Sequence, residues 1–242
     1  MESGPPRHAA TVIVLRPDRH GHFEVFLTRR PHDMEFLGGY YVFPGGVVEK
    51  DDESPQMLRR CYGLSPRVAQ RVVGARLSPK LAMAHWVAGI RELFEEVGIL
   101  LCVTETGEPV DMKNEERKSR LYRKRKALVA GAISFAELLE SEGLFCDTGT
   151  PVYFSHRITP QERPVRFDTC FFLTPMPIDQ TPLLASEEVA ETRWLTPERA
   201  LEEFRRGRLP LVPPTLAALE TLSDFDSWRS LSAVVHSGVY RR

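Results

Sequence analysis

The stretch AGIRELFEEVGILL, residues 88–101, puts Arg91, Glu92, Glu95 and Glu96 within six consecutive positions and turns apolar after Gly98. Placed on a helix at about 100° per residue, Glu92, Glu95 and Glu96 share an arc of about 100°. Trp86, Val87, Ile90, Leu93, Phe94 and Val97 fill the opposite side. One face is built for burial and the other gathers three carboxylates. Such a face carries an internal conflict, because like charges at i,i+4 repel and acids near a helix C-terminus oppose the dipole. Arg91 offsets part of this through Glu95, four residues on. A hard divalent cation, Mg²⁺ or Mn²⁺, would remove the rest, since it takes carboxylate and phosphate oxygens together. A solvated acidic face is the competing reading, and this segment alone leaves both open.

Outward from it, the chain punctuates itself clearly. Ser65–Pro66 and Ser78–Pro79 each put a capping hydroxyl before a proline suited to the first helical position. They predict a short helix over 66–73 and a longer one over 79–97, stopped by Gly98. Upstream, ATVIVLR (10–16) and FEVFLTR (23–29) read as two strands of a hairpin, and YYVF (40–43) as a third running into the turn at Pro44–Gly46. Residues 104–150 read as an excursion that is mainly helical. Strand character returns at PVYFSHRIT (151–159) and RFDTCFFLTP (166–175). Helix starts follow at Thr196–Pro197, after Pro214 and around Trp228. Strands at both ends with helices between favour a single α/β domain over 1–242, carrying insertions at about 53–83 and 104–150.

Composition sets outer bounds. The 242 residues carry a formal net charge of −1 and 42% apolar residues. No overall field draws the chain to nucleic acid or to a membrane. Cys61, Cys102, Cys146 and Cys170 are scattered without a C-x-x-C pair, as expected of small apolar residues in a reducing compartment. No signal-like start and no bilayer-length apolar run appear, so the expected location is cytoplasmic. The seven histidines form no H-E-x-x-H or other zinc spacing. His8, His156 and the others are read as ordinary polar or packing residues.

The double glycine of YVFPGGVVEKDD (41–52) follows a strand and precedes more acids. Taken with 88–101, it makes the sequence resemble the Nudix hydrolases, whose box reads G-x5-E-x7-R-E-U-x-E-E-x-G-U with U aliphatic. Arg91, Glu92, Leu93, Glu95, Glu96, Gly98 and Ile99 match its second half. Gly46 opens the first half, with Asp52 where a glutamate is expected. Residues 53–90 then fill a gap to which the pattern assigns seven residues. A subgroup similar to the peroxisomal coenzyme A diphosphatase carries such an insertion, and it also resembles this chain in FPGGVV (43–48) and RFDTCFFL (166–173). The fold this implies is an α/β/α sandwich with a mixed central sheet and two mainly helical insertions.

The resemblance implies hydrolysis of a diphosphate in a nucleoside diphosphate derivative. Glu92, Glu95 and Glu96 would hold Mg²⁺ (or Mn²⁺), with the Gly45 carbonyl as a further ligand and Arg91 orienting the glutamates through Glu95. The water-activating base would be Glu92 or a loop carboxylate, Glu162 or the pair Glu187–Glu188. Coenzyme A diphosphatases also carry L-L-T-x-R-S/A-x3-R-x3-G-x3-F-P-G-G before the box. Leu27, Thr28, Arg30, Gly39 and Phe43–Gly46 fit it, whereas Pro31 and Glu35 depart from it. Coenzyme A or its acyl derivatives are therefore the first substrate choice, with ADP-ribose, NADH and dinucleoside polyphosphates as alternatives. Arg29, Arg30, Phe43, Gly46 and Arg166 are the candidate substrate contacts. Phe43 and its neighbours Tyr40 and Tyr41 would either stack on an adenine or pack in the core.

Two other function classes compete. The run RKSRLYRKRK (117–126) holds seven cations in ten residues with Tyr122 among them. It would suit RNA, or else form a solvated peripheral helix anchored by Leu121 and Leu128, the reading preferred here. A non-catalytic Nudix-fold binding module would be expected to have lost box glutamates, and all three are present. The expected partner is a small nucleotide rather than nucleic acid or membrane, and the insertions shape either the substrate cleft or a homodimer contact.

Overall fold

The computed structural model describes residues 4–183 and 186–237. Strands β1 (Arg7–Pro17) and β2 (Phe23–Arg29) form the expected hairpin, with Leu15 opposite Val25. Strand β3 (Tyr41–Val42) adds to β2. The chain then doubles back at Pro44, and β4 (Gly45–Val47) lies antiparallel on the first half of β1, with Ala10 opposite Gly46. A 3-10 turn (Lys50–Glu53) leads into α1 (Pro55–Arg59), β5 (Cys61–Tyr62), α2 (Pro66–Val73) and α3 (Pro79–Val97). Both α2 and α3 start as the Ser–Pro pairs predict, Ser65 Oγ accepting the Val68 N–H and Ser78 Oγ that of Leu81. Gly98 stops α3 in the left-handed conformation, at φ 72°.

The remainder runs β6 (Cys102–Val103), α4 (Glu115–Val129), α5 (Phe135–Glu142), β7 (Phe145–Asp147), β8 (Val152–Ile158), β9 (Phe167–Pro175), β10 (Glu191–Leu195), α6 (Pro197–Arg205), α7 (Pro213–Leu222) and α8 (Trp228–Ser237). The main sheet has the order β10-β2-β1-β9-β8, and β1 and β9 are parallel while their other neighbours run antiparallel. It is therefore mixed, as expected. Alternation along β1 sends Val12 and Val14 to a core beneath α3 and the inserted helices, and Ile13 and Leu15 to a second core beneath α6, α7 and α8. Helices cover both faces, which is the α/β/α sandwich.

Strand β4, which the sequence presents as part of a turn, escaped the sequence reading, along with α1, β10 and a second sheet of order β5-β7-β6. Strand β10 is half-buried at every position, so it lacks the alternation that marks a strand. The second sheet is too short to show any period. It is nonetheless where the two insertions meet, because β5 of the first pairs in parallel with β7 of the second, Cys61 beside Cys146. All four cysteines are free thiols, and Cys102, Cys146 and Cys170 are buried. Among the described residues no helix is long and apolar enough to cross a membrane.

Helix α3 seats on β1 through Gly89. A Cβ there would lie 2.9 Å from Val12 Cγ2 and 3.5 Å from Ala10 Cβ. Gly89→Leu should therefore push the helix off the sheet and cost about 1–3 kcal/mol of stability, measured by urea unfolding.

Candidate active site

Arg91 is the hub of the acidic face. Its side chain is nearly buried, and its Nε and Nη2 donate to the two oxygens of Asp52 at 2.9 and 3.1 Å. Nη1 donates to Glu92 at 3.0 Å and to Glu95 at 2.9 Å, and Nη2 also reaches the Val47 carbonyl at 2.9 Å. Burial opposes the Arg91 charge, but Asp52 and then Glu92 and Glu95 outweigh it and raise its pKa. One guanidinium thus joins the strand that carries the double glycine, the acid of the first half-box and two acids of the second. The role expected of Arg91, orienting the glutamates, is what this geometry supports. Asp52 is only 1% exposed. It lines the cleft floor with both oxygens engaged by Arg91, and its Oδ2 also accepts the Glu49 N–H at 2.8 Å.

The glycines serve this packing. A Cβ on Gly46 would lie 2.3 Å from Glu92 Oε1, so the absent side chain is the space that Glu92 occupies. Gly46 was a candidate substrate contact, and its close neighbour is this carboxylate. A Cβ on Gly45 would meet the Ala10 carbonyl oxygen at 2.3 Å. Gly45 was expected to offer a carbonyl, and its N–H points at the Glu96 carboxylate, lowering the pKa of that acid slightly.

Glu96 is the acid left over. It is 6% exposed and, among the described residues, makes no ion pair. Burial raises its pKa well above the usual value, and Glu92 and Glu188 push in the same direction, with Arg30 opposing. Burial also lifts Glu92 to about 7, Arg91 resisting while Glu95 and Glu188 add to the rise. Glu95 is raised as well, by burial against the pull of Arg91. A buried carboxylate without a cation costs several kcal/mol, far more than the few tenths of helix-surface repulsion. A divalent cation fits this donor set of crowded, hard carboxylate oxygens.

The cleft has a volume of about 880 Å³ and is lined by Glu92, Glu95, Glu96, Arg125 and Glu188 among others. That is within the ordinary range for a small-molecule site. Arg125 closes its rim by donating to the carbonyls of Phe94, at 2.7 Å, Glu95 and Glu96, which caps the C-terminus of α3. Much of the basic run in α4 is occupied in this way. Arg120 and Lys124 pair with Glu142, and Leu121 and Leu128 are buried as the predicted anchor.

The other candidates separate. Glu188, in the loop between β9 and β10, lines the cleft and acts on both Glu92 and Glu96. Glu162 is exposed in the loop between β8 and β9 and does not line it. Arg30 bears electrostatically on Glu96 while its Nε donates to the Phe36 carbonyl at 3.1 Å. Arg29 is tied to Glu191 at 3.5 Å and to the Gly39 carbonyl at 3.3 Å. Arg166 donates to the Thr159 carbonyl at 3.1 Å. Phe43 belongs to the core beneath α6 and α7, so the core reading of that ring holds and stacking on a base does not. Sequence reasoning could have found the Asp52–Arg91 pair only by closing the box across its insertion.

With metal removed, Glu96→Gln should melt at a higher temperature than the wild type, because it removes a buried like charge. The sign with pH follows from the raised pKa: the folded state holds the Glu96 proton more tightly than the unfolded chain. The wild-type penalty therefore shrinks on acidification, and the advantage of the variant should be larger at about pH 8 than at about pH 5.5 in calorimetric scans.

The sequence pattern of the NUDT19 Nudix domain matches residues 70–222. The chain is 25% identical over 264 residues to the acyl-coenzyme A diphosphatase NUDT19 of Xenopus laevis, covering 90% of this chain and 70% of that protein. It is 28% identical over 262 residues to the Homo sapiens protein of the same name, covering 96% of this chain and 68% of the other. The crystal structure of a NUDIX hydrolase from Alicyclobacillus acidocaldarius shares the fold with a TM-score of 0.76, at 27% identity and 96% coverage of both chains. With the box closed across its insertion and the sandwich in place, the chain belongs to the NUDT19 Nudix family, hydrolases that act on diphosphate linkages.

Proposed function

We propose that this chain hydrolyses the diphosphate of coenzyme A or an acyl-coenzyme A, with Mg²⁺ or Mn²⁺ bound at Glu92, Glu95 and Glu96. The observation that carries the proposal is Glu96, buried beside Glu92 and Glu188 with no cationic partner among the described residues. The substrate class rests on the acyl-coenzyme A diphosphatase named among the relatives and on the fit of Leu27, Thr28, Arg30 and Gly39 to the coenzyme A motif. A divalent cation supplies charge neutralisation on the diphosphate and acidifies water.

The residues of the chain divide the remaining tasks. Arg91 holds Glu92 and Glu95 in orientation, and Asp52 holds Arg91. Glu188 is the water-activating base, placed in the cleft where Glu162 is not. It takes the proton as the water oxygen bonds to phosphorus and the bridging oxygen leaves on the other phosphate, so two phosphomonoesters result. Arg30 engages a substrate phosphate, for which a guanidinium is suited. Arg29 and Arg166 are occupied by internal partners and act as structural residues. An RNA substrate is disfavoured by the cations of α4 that cap α3 or pair with Glu142.

The test is a panel of coenzyme A, acyl-coenzyme A, ADP-ribose, NADH and dinucleoside polyphosphates with Mg²⁺ or Mn²⁺, products being identified by mass. Coenzyme A derivatives should turn over fastest, and preference for another member would reject the substrate assignment. Glu96→Gln should lose at least about a hundredfold in kcat while staying folded. Asp52→Asn should lose about 10–100-fold in activity or cation affinity through Arg91. Glu188→Gln should lose far more activity than Glu162→Gln, and the reverse order would restore Glu162 as the base.

A further inference from the structure

We propose a second metal site, for a borderline divalent cation of the zinc type, formed by His8, His85 and Asp168. The three are distant in sequence and come from three rigid elements. His8 of β1 and Asp168 of β9 are register partners in the parallel pair, so both side chains rise on the same face of the sheet. His85 descends onto them from α3. One ligand atom of each lies within 4.8 Å of the others.

The histidine nitrogens are what mark this as a site. His85 is fully buried, and its Nδ1 donates to the Leu81 carbonyl at 2.8 Å. That bond fixes the tautomer and leaves Nε2 as a bare lone pair, with no partner. The buried Nδ1 of His8 also has no partner, and the two rings meet edge to face at 5.2 Å. An imidazole whose second nitrogen is held by a backbone carbonyl is the usual arrangement of a metal-ligating histidine. Burial lowers the pKa of His85 to about 4, so the ring is neutral near pH 7. Without an ion, the fold leaves two buried imidazole nitrogens unsatisfied, an expensive arrangement to keep. Two nitrogens and one carboxylate oxygen, with a fourth position for water or an outside group, suit zinc better than Mg²⁺.

Asp168 already accepts His156 Nε2 at 2.5 Å and Arg76 Nη1 at 2.9 and 3.2 Å. Arg76 is the neighbour that yields, because its side chain is 35% exposed and can swing out as the ion takes a carboxylate oxygen. None of the three ligands lines the diphosphatase cleft, so the two sites are separate.

The experiment titrates the whole chain with Zn²⁺, and with Co²⁺ as a spectroscopic probe, in excess Mg²⁺ to occupy the box carboxylates. The wild type should bind one equivalent of Zn²⁺ more than His8→Asn or His85→Gln, and Co²⁺ should give the visible absorption of a four-coordinate, nitrogen-ligated ion. Each variant should bind at least about tenfold more weakly, whereas Arg76→Gln should bind no more weakly than the wild type. His8→Asn, on a half-buried strand position, decides the matter if His85→Gln does not fold. Equal Zn²⁺ uptake by the wild type and His8→Asn overturns the proposal and leaves the cluster a structural contact.

Discussion

The structure depends on one side chain, the Arg91 guanidinium, which saturates its donors on Asp52, Glu92, Glu95 and the Val47 carbonyl. Removing one partner from such a buried pair costs about 3–5 kcal/mol, because the other charge is left in low dielectric. This pairing also spans the insertion. Residues 53–90 separate the halves of the box in sequence, yet the bidentate Asp52–Arg91 contact places them side by side. The inserted chain is free to form its own elements because its two ends are fixed there.

What Arg91 leaves undone is as informative. It neutralises Glu92 and Glu95 in part and does not reach Glu96, whose closest help is the Gly45 N–H and the more distant charge of Arg30. Arg125 adds positive charge at the end of α3 but spends its donors on carbonyls. The fold thus brings acids together, and among the described residues Arg91 balances Glu92 and Glu95 but not Glu96. A buried carboxylate that no neighbouring cation balances costs the fold stability.

The insertions show the same economy of contact. The first supplies α2 against α3 and lends β5 to a small sheet, and the second adds β7 between β5 and β6, the strand just before that second insertion. The second also brings α4 and α5 to the cleft, where Arg125, Leu128 and Phe135 form part of its wall. The basic run that suggested a nucleic-acid surface is drawn into this wall by Leu121, Leu128 and Glu142. Charge density in a sequence says little about direction until packing assigns each side chain a neighbour.

The sequence by itself determined what depends on near neighbours along the chain. Ser–Pro pairs and Gly98 fixed the ends of α2 and α3, β-branched and aromatic content around a turn marked β1 and β2, and helical spacing placed Glu92, Glu95 and Glu96 on one face, because caps, propensities and turns act over a few residues. Only the tertiary structure decided what depends on contacts between distant segments. It gave Asp52 to Arg91, filled the space over Gly46 with Glu92, buried Phe43, put Glu188 and not Glu162 along the cleft and set His8 against His85. Burial and electrostatic coupling belong to three-dimensional neighbours, and no local period encodes them.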